Sequence, residues 1–174
     1  MFALASHPTA SNAELLAGLC EQARALLEGE RDPVANAANL SSLIFHSLPE
    51  LNWAGFYWLK GGELVLGPFQ GKPACVRIAV GKGVCGTAVA ERRTLVVPDV
   101  DAFPGHIACD SASRSEVVVP IALGGKVIGV LDIDSPVKSR FDEEHARALE
   151  TIVADFVAAT DLGPHAGPLP GERE

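Results

Sequence analysis

No stretch of this sequence reaches the roughly 20 uninterrupted apolar residues that a membrane-spanning helix needs. The first residues, Met1-Phe-Ala-Leu-Ala-Ser-His-Pro8, lack the basic start and sustained apolar run of a secretory signal. Together these absences predict a cytoplasmic protein with no membrane partner. Basic clusters are scarce too: the nearest is Arg92-Arg93, in a chain of formal charge −8. Nucleic acids and anionic lipid surfaces reward clustered Lys and Arg, so neither is expected as a partner, and small molecules or proteins remain. No internal repeat is apparent. Aromatic residues are few, at 6% of the chain, which makes any local concentration of them informative.

What is present is enough apolar sequence for one core. With 174 residues, 48% of them hydrophobic, the chain suits one domain with tails better than two. Ser11-Asn-Ala-Glu14 has the form of a capping box, after which Leu16, Leu19, Cys20, Ala23, Leu26 and Leu27 recur at helical spacing. Cys20 is therefore expected on a core-facing stripe, as a buried structural thiol. A second helix is expected from Pro33 to about Ser47. From Leu51 the period becomes strand-like: Asn52–Lys60, a Gly61-Gly62 turn, Glu63–Phe69, then Ala74–Val80, an antiparallel meander. Gly83–Arg92 reads as a short helix and Thr94–Pro98 as a strand. Glu116–Leu123 and Lys126–Ser135 read as a hairpin around Gly124-Gly125. Asp142 caps a last helix whose apolar face is Leu149, Ile152, Val153 and Phe156. This order predicts an α+β domain over residues 1–162, a central antiparallel sheet with helices outside it. The tail 163–174, rich in Gly and Pro, is expected to be mobile.

Several residues carry chemistry. Cys75, Cys85 and Cys109 lie in turn-rich sequence, and Cys109 belongs to the long non-periodic segment Asp99–Ser113; a connection of that length inside a compact domain is commonly functional. Strand alternation puts Asp132 and Asp134 on one face, roughly 7 Å apart, with Leu131 and Ile133 on the other. A solvated face is the plain reading of that pair. Glu116, on the adjacent strand, joins them if the hairpin register allows, giving a cation-binding or proton-donating cluster in which at least one pKa rises. Asn52-Trp-Ala-Gly-Phe-Tyr-Trp58 sends Trp53 and Tyr57 to one face and Phe56 and Trp58 to the other, so this strand is either core or the lining of a pocket. Cys75, Cys85, Cys109 and His106 form a four-ligand set on paper. Their separations of nine and 23 residues are unlike the close pairs of structural zinc, and no metal is expected. Cys85 near a helix start and Cys109 near His106 and Arg114 are both candidate low-pKa thiols, and physics from sequence does not choose between them.

Asn52-Trp-Ala-Gly-Phe-Tyr, Leu66-Gly-Pro-Phe-Gln-Gly-Lys-Pro-Ala-Cys75, Gly83-Val-Cys-Gly-Thr87, Val97-Pro-Asp-Val100, Phe103-Pro-Gly-His-Ile-Ala-Cys-Asp-Ser-Ala-Ser-Arg-Ser-Glu116 and Gly129-Val-Leu-Asp-Ile-Asp-Ser-Pro136 form an ordered series. Over about Leu51 to Glu150 it resembles the free methionine-R-sulfoxide reductases, which are stand-alone GAF domains. The resemblance implies a GAF/PAS-like fold with a ligand pocket covered by loops, and reduction of free methionine (R)-sulfoxide without metal or organic cofactor. It implies Cys109 as catalytic thiol, Cys75 as the usual resolving thiol and Cys85 as a second recycling cysteine. By the same resemblance Glu116, Asp132 and Asp134 are the substrate-binding carboxylates, and Trp53 and Tyr57 the aromatic pocket. Thioredoxin or a similar dithiol is the implied reductant, and a homodimer is compatible with it. Two other classes share these features: a ligand-sensing GAF module and a general peroxide-reducing thiol protein.

Overall fold

Ser11 and Glu14 form the expected capping box, each side chain meeting the other's backbone N–H, and open α1 (Asn12–Leu27). In this computed structural model, which describes residues 11–105 and 110–163, α2 (Pro33–Ser47) starts where Asp32 accepts hydrogen bonds from the N–H groups of Val34 and Ala35. Next come β1 (Trp53–Lys60), β2 (Glu63–Gly71) and the short β3 (Arg77–Ala79). They are followed by α3 (Gly83–Glu91), β4 (Leu95–Val97), a single 3-10 turn at Val100–Ala102, the hairpin β5 (Ser115–Leu123) and β6 (Lys126–Ser135), and α4 (Glu143–Ala159). All pairings are antiparallel, in the order β3-β2-β1-β6-β5-β4. Both two-glycine turns, Gly61-Gly62 and Gly124-Gly125, have the positive φ at both positions that a type I′ hairpin turn requires. The tail expected after Leu162 lies, apart from Gly163, outside the described residues.

Helices α1, α2 and α4 cover one face of the sheet and α3 the other, so there are two cores. Leu19, Leu40, Leu43, Ile44, Leu149, Ile152 and Phe156 meet Phe56, Val117, Ile121, Leu131 and Ile133 in the larger one. There Phe56 stacks on Trp58 with ring centroids 5.7 Å apart, and both touch Phe156. In the smaller core, α3 brings Val84, Cys85, Ala88 and Val89 against Trp53, Tyr57, Val118 and Val130. Gly86 makes that approach close: a Cβ there would collide with the Ala79 carbonyl oxygen.

Two expectations need correction. Cys20 is only half-buried, at the margin of the α1 stripe, where its thiol faces the Ala148 carbonyl of α4 at 3.6 Å. Leu16, Leu19, Ala23 and Leu27 carry the burial instead. The strand expected over Ala74–Val80 shrinks to Arg77–Ala79. Pro73 has no N–H to contribute to a ladder, and the Cys75 carbonyl accepts from the Tyr57 hydroxyl at 3.0 Å rather than from a strand.

Candidate active site

The hairpin register settles the carboxylates. Glu116 lies directly opposite Asp134 and Val118 opposite Asp132, so all three acids project from the face that α3 covers. Across the other edge of β6, Trp53 pairs with Asp134 and Gly55 with Asp132. Gly55 is required here: a Cβ would come within 2.6 Å of the Trp53 ring and would also strike Phe69. Its absence lets Trp53 stack between Phe69, at 5.3 Å, and Tyr57, at 5.7 Å. The predicted carboxylates and the predicted aromatic pair therefore converge in one place.

The solvated reading of the acids fails on burial, since Glu116 and Asp132 are each only 6% exposed and Asp134 is half-buried. Burial drives all three carboxyls upward, because a buried anion loses its hydration. Asp132 is pushed up to about 6. Glu116 rises well above the usual carboxylate range through burial and then the nearby charges of Asp132 and Asp134, and Asp134 rises through burial and Asp132. The Tyr57 hydroxyl is held in its neutral form by burial and by Asp132.

Cys85 enters this cluster from the first turn of α3, its thiol 3.9 Å from a Glu116 carboxylate oxygen. A sulfur from Cys85 and one oxygen each from Glu116 and Asp132 lie within 4.8 Å of one another. The expectation of a low-pKa thiol at Cys85 is thus overturned. Burial first, then the adjacent Asp132 and Glu116, push its pKa well up, and these outweigh the favourable end of a nine-residue helix. Cys75 is disulfide-bonded, at the half-buried rim beside Pro73 and Ala74, whereas Cys20 and Cys85 are free thiols. A disulfide sulfur is unavailable as a thiolate ligand, so the four-ligand zinc set does not exist in this form. His106 and Cys109 lie outside the described residues.

Residues not singled out in advance complete the walls. Asn52 donates to Asp110 at 3.2 Å and to the Ser113 hydroxyl at 2.9 Å, and Lys72 approaches Asp110 at 3.4 Å. The Ala112 N–H, followed by Asn52, keeps the Asp110 carboxyl below its usual range, so the rim of the site is anionic. Trp53, Tyr57, Pro73, Ala74, Asp110, Asp132 and Asp134 enclose a pocket closed down to about 10 Å³, room for no more than one water. Asn52 and Asp110 both stand inside the quoted sequence motifs, beside Trp53 and Cys109. Adjacency to a predicted residue was the signal available for them.

The GAF domain family model matches residues 35–161. A free methionine-R-sulfoxide reductase of Escherichia coli is 51% identical over 151 residues, spanning 85% of this chain and 92% of that protein. One of Saccharomyces cerevisiae is 47% identical over 147 residues, 80% of this chain and 82% of the yeast protein. The X-ray structure of the Neisseria meningitidis free methionine-R-sulfoxide reductase in complex with its substrate superposes with a TM-score of 0.85 at 44% identity, covering 90% of this chain and 95% of that one. The chain belongs to the free methionine-R-sulfoxide reductases. Within that GAF-domain family, the surface under α3 is the face on which this chain gathers its acids, its stacked rings and two of its cysteines. No helix among the described residues is long and apolar enough to cross a membrane.

Proposed function

We propose that this chain reduces the R epimer of free methionine sulfoxide to methionine, with Cys109 as the attacking thiol, Cys75 as the resolving thiol, and thioredoxin or another dithiol as reductant. The observation that carries the reading is the buried convergence of Glu116, Asp132 and Asp134 beside the Trp53–Tyr57 stack, with the disulfide-bonded Cys75 at the rim.

The acids suit both ends of the substrate. Residual negative charge in the cluster attracts the α-ammonium group, which a methionine inside a polypeptide lacks. A carboxyl whose pKa burial raises serves as proton donor to the sulfoxide oxygen. Two buried side-chain atoms with no hydrogen-bond partner in the described structure, Trp53 Nε1 and Asp132 Oδ1, supply one donor and one acceptor for a polar ligand.

In the proposed reaction the Cys109 thiolate attacks the sulfoxide sulfur, the oxygen takes a proton and passes to the cysteine, and methionine leaves. Cys109 remains as sulfenic acid. The Cys75 thiolate then attacks that sulfur, a disulfide forms and water departs. Exchange with the external dithiol through a mixed disulfide restores both thiols. The two electrons that reduce the sulfoxide thus come from the dithiol. The near-closure of the pocket while Cys75 is disulfide-bonded supports an order in which reduction precedes substrate entry. In this scheme the buried, carboxylate-bound Cys85 is a subsidiary recycling thiol at most.

Steady-state assay of the separated sulfoxide epimers with thioredoxin as reductant tests the reading. Turnover of the free R epimer is expected, with little for the S epimer and a large loss of kcat/KM on N-acetylation. Equal use of free and N-acetylated R-sulfoxide would overturn the ammonium-binding role of the acids.

A further inference from the structure

We infer that Cys85, Glu116 and Asp132 form an inhibitory site for a thiophilic divalent cation, with Zn²⁺ the matching ion. That a metal binds here stands on the side-chain cluster alone, and that it inhibits rests on the reductase reading. One sulfur and two carboxylate oxygens already lie within 4.8 Å of one another, and the Cys85 to Glu116 separation of 3.9 Å is close to the spacing of neighbouring ligands around a tetrahedral ion. Asp132 is 6% exposed, faces the pocket, and its Oδ1 has no hydrogen-bond partner among the described residues. A buried carboxylate oxygen with no partner is a group that a bound ligand can satisfy, while the rest of the Asp132 side chain hydrogen-bonds to Cys85 and Glu116.

The donor set decides the class of ion. Two carboxylates alone would suit Mg²⁺ or Ca²⁺, but those ions demand more oxygen ligands and do not select sulfur. Thiolate together with carboxylate favours Zn²⁺ and its heavier congener Cd²⁺. Three protein ligands leave a fourth position, and one of the three, Asp132, also lines the pocket with Trp53 and Asp134. An organic ammonium interacts with the carboxylates but gains nothing from a thiol, so the position of Cys85 distinguishes the metal from the amino-acid substrate. Binding must displace a proton, because sulfur ligates a metal ion as the thiolate. The ion therefore competes with protons and with substrate, and takes no part in turnover.

The oxidised protein is the right material for the test, since Cys75 is then tied in its disulfide and Cys20 and Cys85 are the free thiols among the described residues. Cd²⁺ titration followed by the ultraviolet thiolate-to-metal charge-transfer band, and Zn²⁺ titration against a chromophoric chelator, should each show one equivalent bound, more tightly at pH 8 than at pH 6. Cys85→Ser should lose the band and weaken Zn²⁺ binding at least about tenfold. Asp132→Asn should keep the band but weaken Zn²⁺ by about tenfold or more. Cys20→Ser should match the parent chain. A band that survives Cys85→Ser or disappears in Cys20→Ser overturns the proposal, and so does Zn²⁺ affinity in the parent chain that does not change between pH 6 and pH 8. That last measurement needs no variant and so does not depend on a substitution folding. In assays with thioredoxin, Zn²⁺ should raise KM for the sulfoxide without lowering kcat. Failure of turnover with intact metal binding would count against the reductase reading alone.

Discussion

Neighbouring side chains of strand β1 enter two different environments on opposite faces of the sheet. Phe56 and Trp58 join the face packed by α1, α2 and α4, where the contacts are apolar and Phe156 closes the ring cluster. Trp53 and Tyr57 join the face packed by α3, where three carboxyls and a thiol share the interior with them. Of the buried side-chain polar atoms left without a partner among the described residues, Asn52 Oδ1, Trp53 Nε1 and Asp132 Oδ1 sit around the pocket, and Ser47 Oγ at the end of α2 stands apart. Phe56, Trp53 and Tyr57 are thus all buried, while polar satisfaction differs between the two faces. A fold tolerates buried unpaired polar groups and crowded acids where a ligand supplies what is missing, and its stability has to come from the other face.

The largest test of this division is chemical. Cys109→Ser should lower turnover by at least on the order of 10³-fold, because a hydroxyl is a far weaker nucleophile than a thiolate near neutral pH. Methionine release in a single turnover is the measurement. Near-normal release would take the reaction away from that residue, and Cys75→Ser separates the steps: it should release one methionine per chain and then recycle poorly with thioredoxin.

Next in size are the acids, which should matter to activity and stability in opposite directions. Glu116→Gln or Asp132→Asn should reduce kcat/KM by roughly 10²-fold or more if the cluster supplies the proton. The stability effect follows from the raised carboxyls. Between an unfolded pKa of about 4 and a folded value of about 6 for Asp132, the folded chain binds more protons than the unfolded one. Stability therefore falls as pH rises through that window, and Glu116 and Asp134, also raised, carry the fall higher. Denaturant titrations at pH 4, 6 and 8 should show this decline in the parent chain and a shallower one in Asp132→Asn. A flat profile would mean that the acids are not desolvated as their burial implies.

Phe156→Ala attacks the other face. The ring is fully buried against Phe56 and Trp58, so its loss should cost about 3–5 kcal/mol, read as a lower denaturation midpoint. At a temperature where the variant is folded, KM for the sulfoxide should be unchanged. A raised KM would mean that the two faces are coupled through the sheet.

Much of this arrangement is legible in the sequence because local rules dominate where elements begin and end. Pro33 after Asp32 marks the start of α2, and Gly124-Gly125 sets both arms of the β5–β6 hairpin. Alternation along β1 separates Trp53 and Tyr57 from Phe56 and Trp58 without any tertiary information. What escapes local reading is whatever a distant segment contributes. The environment of Cys85 is one case: a helix start suggests an acidic thiol, but the carboxylates that oppose ionisation arrive from strands 31 and 47 residues further along the chain. The shortening of β3 is another, since it depends on the Tyr57 hydroxyl reaching the Cys75 carbonyl across 18 positions. Cys20 shows the same limitation in milder form, because only the packing angle of α4 decides which residues at the margin of the α1 stripe are covered.

The smallest effect is the most discriminating, because it applies one substitution to both faces of one strand. Trp53→Phe removes an indole N–H that is buried without a partner among the described residues. The lost packing of the larger ring and the relieved desolvation of that N–H oppose each other, so stability should change by no more than about 1 kcal/mol. If the N–H donates to the substrate, KM should rise several-fold, the scale of one hydrogen bond, with kcat little altered. Trp58→Phe, five residues along β1 and on the opposite face, trims the same ring against Phe56 and Phe156. It should lower the denaturation midpoint and leave KM as it was. Parallel thermal melts and substrate titrations of the two variants give four numbers. The division of labour between the faces requires the larger KM change at Trp53 and the larger midpoint change at Trp58, and equal KM changes would contradict it.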